Sequence, residues 1–398
     1  MNRRTLSAIG ATALAVVASP FLFSSPASAA GAGSAKVVGT NKVQFTASAG
    51  STNSLTITIS GRTVTLDDRV AIKAGRGCKA VKGDRTKVRC ITAKATTRLS
   101  ASLGDRNDTL RNKTSVYLYA TGGSGADTLI GGSGRDDFYG GTGGDRLYGN
   151  NASDHLFGES GADRIVGGEG PDKLWAGSGD DRIWGGPGWD FIVGEGGDDI
   201  VAAGDDADYV YGSAGHDTLY GGAGEDIIGG NDGNDVIWGE TGADKIEGGD
   251  GHDTIHAGSG ERVTYNGAVV GDIAVGGLGD DHIFGEDDRD FIVGEQGGDE
   301  LFGGAGDDYV TGGDGSDLVR GGEGDDLVAG GRIHVQAGLI EDRNGYDLVD
   351  GGTNTAVGDY CYVTVWSGDE GCEVLPADGG GEGMKRRAVF SGLSAGWQ

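Results

Sequence analysis

Proline is nearly absent from this 398-residue chain, with 5 copies, and methionine and cysteine are scarce, with 2 and 4. Beside 83 glycines, so little proline excludes a collagen triple helix, and the glycines also lack its period of three. Glycine in the interior of a helix costs about 1 kcal/mol relative to alanine, so this composition argues against a helical core as well. Beyond the first 30 residues no apolar run approaches the roughly 20 residues of a membrane span. Basic charge is short too: 32 Lys and Arg face 61 Asp and Glu, a formal charge of -29. The shortfall is regional. Residues 31–120 carry 16 basic side chains and 5 Asp, whereas residues 121–384 carry 11 basic and 56 acidic ones. Nucleic acid is excluded as a partner of so acidic a segment, and a compact body of that charge needs either spread-out charge or bound cations.

Recognisable catalytic patterns are missing. No Gly-Lys-Ser/Thr phosphate loop is present, and Gly392-Leu393-Ser394-Ala395-Gly396 matches a nucleophile elbow in letters without a strand before it or a helix after it. His252 and His256 stand four apart with no Glu after His252, so they do not form a zinc-protease motif. Leu375-Pro376-Ala377-Asp378-Gly379 has the outline of a sortase signal but lacks the apolar span that should follow. The expectation is a protein that is not an enzyme.

What the chain has instead is a nine-residue repeat. In "GGAGDDYVTGGDGSDLVRGGEGDDLVAGG", residues 303–331, an aspartate recurs every ninth position with an aliphatic residue two places after it. The register is unbroken through Asp127, Asp136, Asp145, Asp154, Asp163, Asp172, Asp181, Asp190, Asp199, Asp208, Asp217, Asp226, Asp235, Asp244 and Asp253. Arg262 then stands where an aspartate is due. The pattern resumes ten residues late with Asp272, Asp281, Asp290, Asp299, Asp308, Asp317 and Asp326, slips again, and gives a last copy at Asp347. Asp105 and Asp108 in "LGDRNDTL" read as a degenerate earlier copy.

One apolar residue per nine cannot cover a helix face, and the period is not 3.6. Short strands between glycine turns fit, stacked so that each strand pairs with its copy in the neighbouring coil. Equivalent aspartates then lie about 4.8 Å apart. Like charges at that distance repel by roughly 1 kcal/mol even in water and by several times more when shielded from it. A cation must occupy the ladder. Carboxylates and backbone carbonyls, with no His or Cys at fixed positions, suit a hard divalent ion, and Ca²⁺ accepts six to eight oxygens in flexible geometry.

The unit Gly-Gly-x-Gly-x-Asp-x-apolar-x, seen cleanly at residues 303–311 and 312–320, resembles the RTX nonapeptide family of calcium-binding repeats. The resemblance implies an all-β fold, a right-handed parallel β-roll with two repeats per coil. It also implies multiple Ca²⁺ ions held between turns two repeats apart, by the 23 aspartates just named, Asp127 to Asp347, and by turn carbonyls. Thirteen such pairs precede the break and five follow it. Ala152, Asp206 and Asp288 replace the fourth-position glycine, which puts their turns in doubt, while Glu159, Glu195, Glu240, Glu286 and Glu295 replace the second. An N-terminal signal sets the chain apart from family members exported through a C-terminal one and makes it similar to stand-alone secreted repeat proteins of actinobacteria.

The remaining segments frame the roll. Residues 1–30 read as a signal peptide, with Arg3 and Arg4, an apolar run from Ala8 to Phe23, and Ala27-Ser28-Ala29 before the cleavage point, so the mature chain is expected outside the cell. Asn2 and Ser7 depart from the twin-arginine pattern. Residues 31–120 read as a small basic β module, with a hairpin turning near Gly61 and Arg62. Residues 121–350 form the roll, with insertions near 261–271 and 332–346. Residues 351–376 form a C-terminal cap, and 377–398 a disordered tail. In an exported protein Cys78 with Cys90 and Cys361 with Cys372 are expected as two local disulfides, although three connectivities are formally open. The ninth position is often aromatic, as at Tyr139, Tyr148, Trp175, Trp184, Tyr211, Tyr220 and Trp238. Such outward rows either stack across strands to stabilise the sheet or offer a surface to cell wall, glycan or another copy.

Overall fold

The computed structural model describes residues 31–260, 263–265, 268–324, 326–331, 334–336, 339–341, 348–350 and 360–362. The signal segment, Asp347, Cys372 and the tail lie outside them, and so does the side chain of Cys361. Every regular element among the described residues is a β-strand.

Alternate repeats build opposite sheets. Asp136–Thr142, His155–Ser160, Lys173–Ser178 and Phe191–Gly196 stack in parallel on one side, and Arg146–Asn151, Arg164–Glu169, Arg182–Pro187 and Ile200–Asp205 stack on the other. Each strand pairs with the one two repeats on, so that Phe138 sits beside Leu156 and Leu147 beside Ile165. One coil therefore consumes two nonapeptides, the arrangement of a β-roll.

The eighth residue of each unit supplies the large apolar side chain of the core, joined at the first position by Ala176, Ala203 and Ala257. Leu129, Phe138, Leu147, Leu156, Ile165, Leu174 and their successors through Val328 are all buried and form one continuous core; the small Ala274 takes its place in the row without breaking it. A buried aliphatic side chain of this size contributes about 1.5–3 kcal/mol. That is modest for nine ordered residues and makes the rest of the unit decisive.

The ten-residue break does not interrupt the stack. Lys245–Asp250 pairs directly with Ile273–Leu278, and Thr254–Gly258 with His282–Asp287, in the standing register. The extra residues leave the coil as an antiparallel hairpin of Val263–Tyr265 and Ala268–Val270. A second hairpin, His334–Gln336 with Leu339–Glu341, leaves before Leu348–Asp350 rejoins Leu318–Glu323.

Upstream, both sheets continue into non-repeating sequence. Lys42–Thr46 adds in parallel to Arg98–Asp105, and Ser54–Ser60 to Thr109–Asn112. The hairpin of Ser54–Ser60 and Thr63–Asp67 turns at Gly61 and Arg62, as the alternation predicts. Cys78–Val81 pairs with Asp84–Ile91, placing Cys78 opposite Cys90, and the two are joined by a disulfide.

Many of the outward aromatic residues stack along the roll axis, whereas Tyr211 tilts against Phe191 and Arg164 covers the Trp184 ring at 4.4 Å. On one sheet Tyr139, Phe157 and Trp175 have centroids 4.7 Å apart and planes within 6°. On the other, Tyr220, Trp238, His256, Phe284 and Phe302 form a column with planes within 11°. Ring faces inside a column are spent on each other, leaving ring edges outward.

Candidate metal centre

The glycine turns place one aspartate per coil on each edge of the roll. Eleven line one edge, Asp127, Asp145, Asp163, Asp181, Asp199, Asp217, Asp235, Asp253, Asp281, Asp299 and Asp317, and eleven the other, from Asp136 to Asp326. None is more than 3% exposed. Burial so complete is foreign to free carboxylates.

Each carboxylate divides its two oxygens. Oδ1 accepts the backbone N–H of the aspartate one coil earlier: Asp127 N–H donates to Asp145, Asp145 to Asp163, and so on at 2.6–3.0 Å to Asp317. The second edge runs likewise from Asp136 and Asp154 to Asp308 and Asp326. The pairs that span the sequence break, Asp244 with Asp272 and Asp253 with Asp281, keep the same bond at 2.8 and 2.9 Å. The break thus removes no rung, and each edge holds ten stacked pairs where sequence spacing gave thirteen and five in all. Oδ2, by contrast, is buried without a hydrogen-bond partner in Asp145, Asp154, Asp163, Asp172 and on through Asp308.

The first-position glycine shows what surrounds that oxygen. A β-carbon at Gly194 would collide with Asp199 Oδ2 and with the carbonyl oxygen of Gly212 one coil on. One at Gly230 would meet Asp235 Oδ2 and the Gly248 carbonyl in the same way. Carboxylate and carbonyl oxygens therefore converge beside the first position, which holds glycine in most units and nothing larger than the buried alanines Ala176, Ala203 and Ala257 in the others. Among the described residues no three His, Cys, Asp or Glu gather at one point, and the donors that do approach one another are hard oxygens of carboxylates and backbone carbonyls.

Burial raises these carboxyls above the usual range, backbone hydrogen bonds oppose it, and neighbouring aspartates add to it. Asp290 is pushed up to about 9, Asp154, Asp190 and Asp244 to about 8, and Asp163, Asp199 and Asp226 to about 6. An uncompensated buried charge outweighs the core contribution of its own repeat, since stranding one typically costs 3–5 kcal/mol.

The doubtful turns hold their geometry. Ala152, Asp206 and Asp288 adopt φ of 81°, 76° and 82°, and the aspartates that follow them keep their ladder bonds. Glu159, Glu195, Glu240, Glu286 and Glu295 adopt φ of 73–80° at the second position, and all but the half-buried Glu295 are exposed.

Two features escape the nine-residue reading. Asp108 is in register, its N–H donating to Asp127 Oδ1 at 2.7 Å, which the "LGDRNDTL" copy signals. Along one edge the residue before the aspartate forms a second, exposed row. Asp180 Oδ1 accepts from Asp198 N–H, Asp198 from His216, His216 Nδ1 from Asn234, Asn234 from His252, and His252 Nδ1 from Asp280. That row follows a period of eighteen, visible only once alternate repeats are separated.

A stacked β-solenoid with paired edge carboxylates turned toward backbone carbonyls defines a class of repetitive metal binder. The RTX calcium-binding nonapeptide repeat matches residues 119–147, 139–174, 166–201, 193–228, 202–237, 229–263, 270–301 and 302–332, and the chain belongs to that family. No curated protein matches it. Calcium binding comes with the repeats.

Proposed function

We propose that the chain is an exported, non-enzymatic calcium binder whose roll folds when ions enter both edges, the ladder aspartates and turn carbonyls of successive coils being the ligands. The observation that carries this reading is the column of buried, unpartnered Oδ2 atoms on each edge. Divalent charge placed between successive rungs removes their repulsion and supplies the missing partner, so binding energy becomes folding energy. A signal at residues 1–30 would deliver the chain to a compartment rich in calcium, and scarce calcium inside the cell would leave it loose enough to export. The basic module of residues 31–120 and the segment 351–376 serve as end caps in this scheme, with the second cysteine pair closing the latter.

An adhesin reading, with the aromatic columns binding cell wall or glycan, is less well supported. A flat partner needs free ring faces, and the columns present edges.

Calcium titration of the mature chain followed by circular dichroism, with stoichiometry from equilibrium dialysis, tests the proposal. The β signal should grow with ion uptake, and many ions should bind per chain. A chain equally ordered in excess chelator, with no metal retained, would sink it.

A further inference from the structure

The two aromatic columns have four ends, and three of them are covered. On one sheet Tyr119 lies over Tyr139 with centroids 5.4 Å apart, and the guanidinium of Arg98, from the preceding coil, stands 5.9 Å from the Tyr119 ring. Beyond Trp175 the same row reaches Val193, where Phe191 leans in from two residues earlier, 5.7 Å from Trp175 and 6.0 Å from Tyr211. On the opposite sheet Phe302 is followed in the row by Arg320, whose guanidinium lies 5.6 Å from the ring. The fourth end is Tyr220. One of its faces stacks on Trp238, and the residue paired with it on the other side is Ala202.

That end is hollow and acidic. Ile200, which precedes Ala202 as Phe191 precedes Val193, has no ring to lend. A cavity of about 390 Å³ opens there, lined among others by Ala202, Gly204, Asp205, Tyr220, Glu240 and Thr241. Ala202 and Gly204 leave its floor low. Gly204 pairs with Gly222, and Gly222 with Glu240, so Glu240 brings the first carboxylate to a row of glycine. Asp205 and Glu240 are exposed, and none of the residues lining the cavity is basic.

We infer that this end of the column is a binding site for the guanidinium of an arginine side chain presented by a partner protein. A ring face attracts a cation, and carboxylates beside it add to the pull. A guanidinium is flat, weakly hydrated and rich in N–H donors, so it stacks on the ring while donating to the carboxylates. The chain covers its own rings in this way at Tyr119, Trp184 and Phe302. A neutral flat group such as a sugar ring would gain the contact with Tyr220 but nothing from the charge of Asp205 and Glu240. The site lies on the outer face of the sheet, so calcium uptake by the ladders serves as a control.

Ligand-observed saturation-transfer NMR tests this on the mature chain in saturating calcium and physiological salt, which screens exposed charge. The probe is acetyl-arginine amide, compared with acetyl-lysine amide, acetyl-citrulline amide and cellotriose. Arginine should bind most tightly, and citrulline, which has the shape without the charge, about tenfold more weakly. Ala202→Phe lays a ring of the chain's own on Tyr220 and should weaken arginine binding about tenfold without lowering the melting temperature or calcium uptake. Glu240→Gln should weaken it a few-fold, and it keeps the test decisive should Ala202→Phe disturb the sheet. Arginine bound equally well by both variants would reduce the attraction to general surface acidity and overturn the site. Citrulline or cellotriose bound as tightly as arginine would overturn it too, as would an arginine probe that does not bind.

Discussion

Residues 33–91 and residues 118–331 share two continuous sheets but use opposite means to hold them. The first region buries Phe45, Leu55, Ile57, Leu66 and Val88, pairs several strands antiparallel, and is closed by the Cys78–Cys90 disulfide. The second buries one aliphatic side chain and one carboxylate per repeat. A region with an ordinary apolar core can fold on hydrophobic burial; one that buries a charge for every core residue cannot, unless something cancels the charge. On the proposed function, that difference assigns calcium-dependent folding to the roll and calcium-independent folding to the disulfide-bonded hairpin.

Chelation should expose that contrast most strongly. In excess chelator the amides of 136–326 should lose protection by several orders of magnitude, whereas those of 78–91 should keep most of theirs, as hydrogen exchange can read segment by segment. Uniform loss across both regions would mean that the hairpin has no stability of its own.

Acid should narrow the gap. The ladder carboxyls are raised in the folded chain, Asp290 to about 9, Asp190 to about 8 and Asp172 to about 7, against roughly 3.9 when unfolded. A raised carboxyl favours the fold fully below the unfolded value, and the benefit is lost as pH climbs through the folded one. Metal-free roll should therefore be more ordered near pH 5 than near pH 8 by circular dichroism. Calcium needs the ionised form, so at pH 6 its addition to unbuffered protein should release protons, and its affinity should fall in acid.

Removing one rung should have opposite signs with and without the ion. Asp190 accepts from Asp172 N–H and donates its own N–H to Asp208, so it belongs to two pairs. Asp190→Asn should lose up to two ions in equilibrium dialysis and about 3 kcal/mol of stability in calcium, the scale of a broken buried pair. In chelator the same change deletes a buried charge and should raise residual stability. A loss in both conditions would assign Asp190 a packing role.

Much of this was legible in the sequence. The period of nine identified Phe138, Leu147 and Ile165 as inward residues and the aspartates as edge residues, because a solenoid repeats environment along with sequence. Counting by nines misjudged the break, since the physical constant is strand pairing, which tolerates a hairpin between Thr254–Gly258 and Ile273–Leu278. The open face of Tyr220 carried no signal at all. Ala202 and Glu240 belong to other repeats, and only the pairing of alternate repeats brings them to it.

Glycine substitutions refine the comparison within one turn. Gly194→Ala would drive a methyl against Asp199 Oδ2 and the Gly212 carbonyl, but Ala176 and Ala203 are accommodated at the same position with their ladder bonds intact, so the cost should be only about 1 kcal/mol, with reduced ion uptake at that turn. Gly196→Ala, two residues on, meets nothing closer than the Ala214 carbonyl at 4.0 Å and should leave melting temperature and calcium uptake unchanged. Equal effects at both would show that the first-position glycines serve the backbone and not the oxygen pocket.

The smallest effect should come from Glu195, between those two glycines. Its φ of 75° lies in the left-handed region, where an L side chain costs about 1–2 kcal/mol, and its side chain is exposed beside the row that runs through Gly177 and Ser213. Glu195→Gly should relieve that strain at the expense of a looser unfolded chain, for a net gain of at most about 1 kcal/mol in saturating calcium. Thermal melting at fixed calcium and pH reads the difference. A drop in melting temperature joined to the loss of one bound ion would make the carboxylate of Glu195 a ligand; an unchanged ion count leaves it an exposed surface charge with no part in binding.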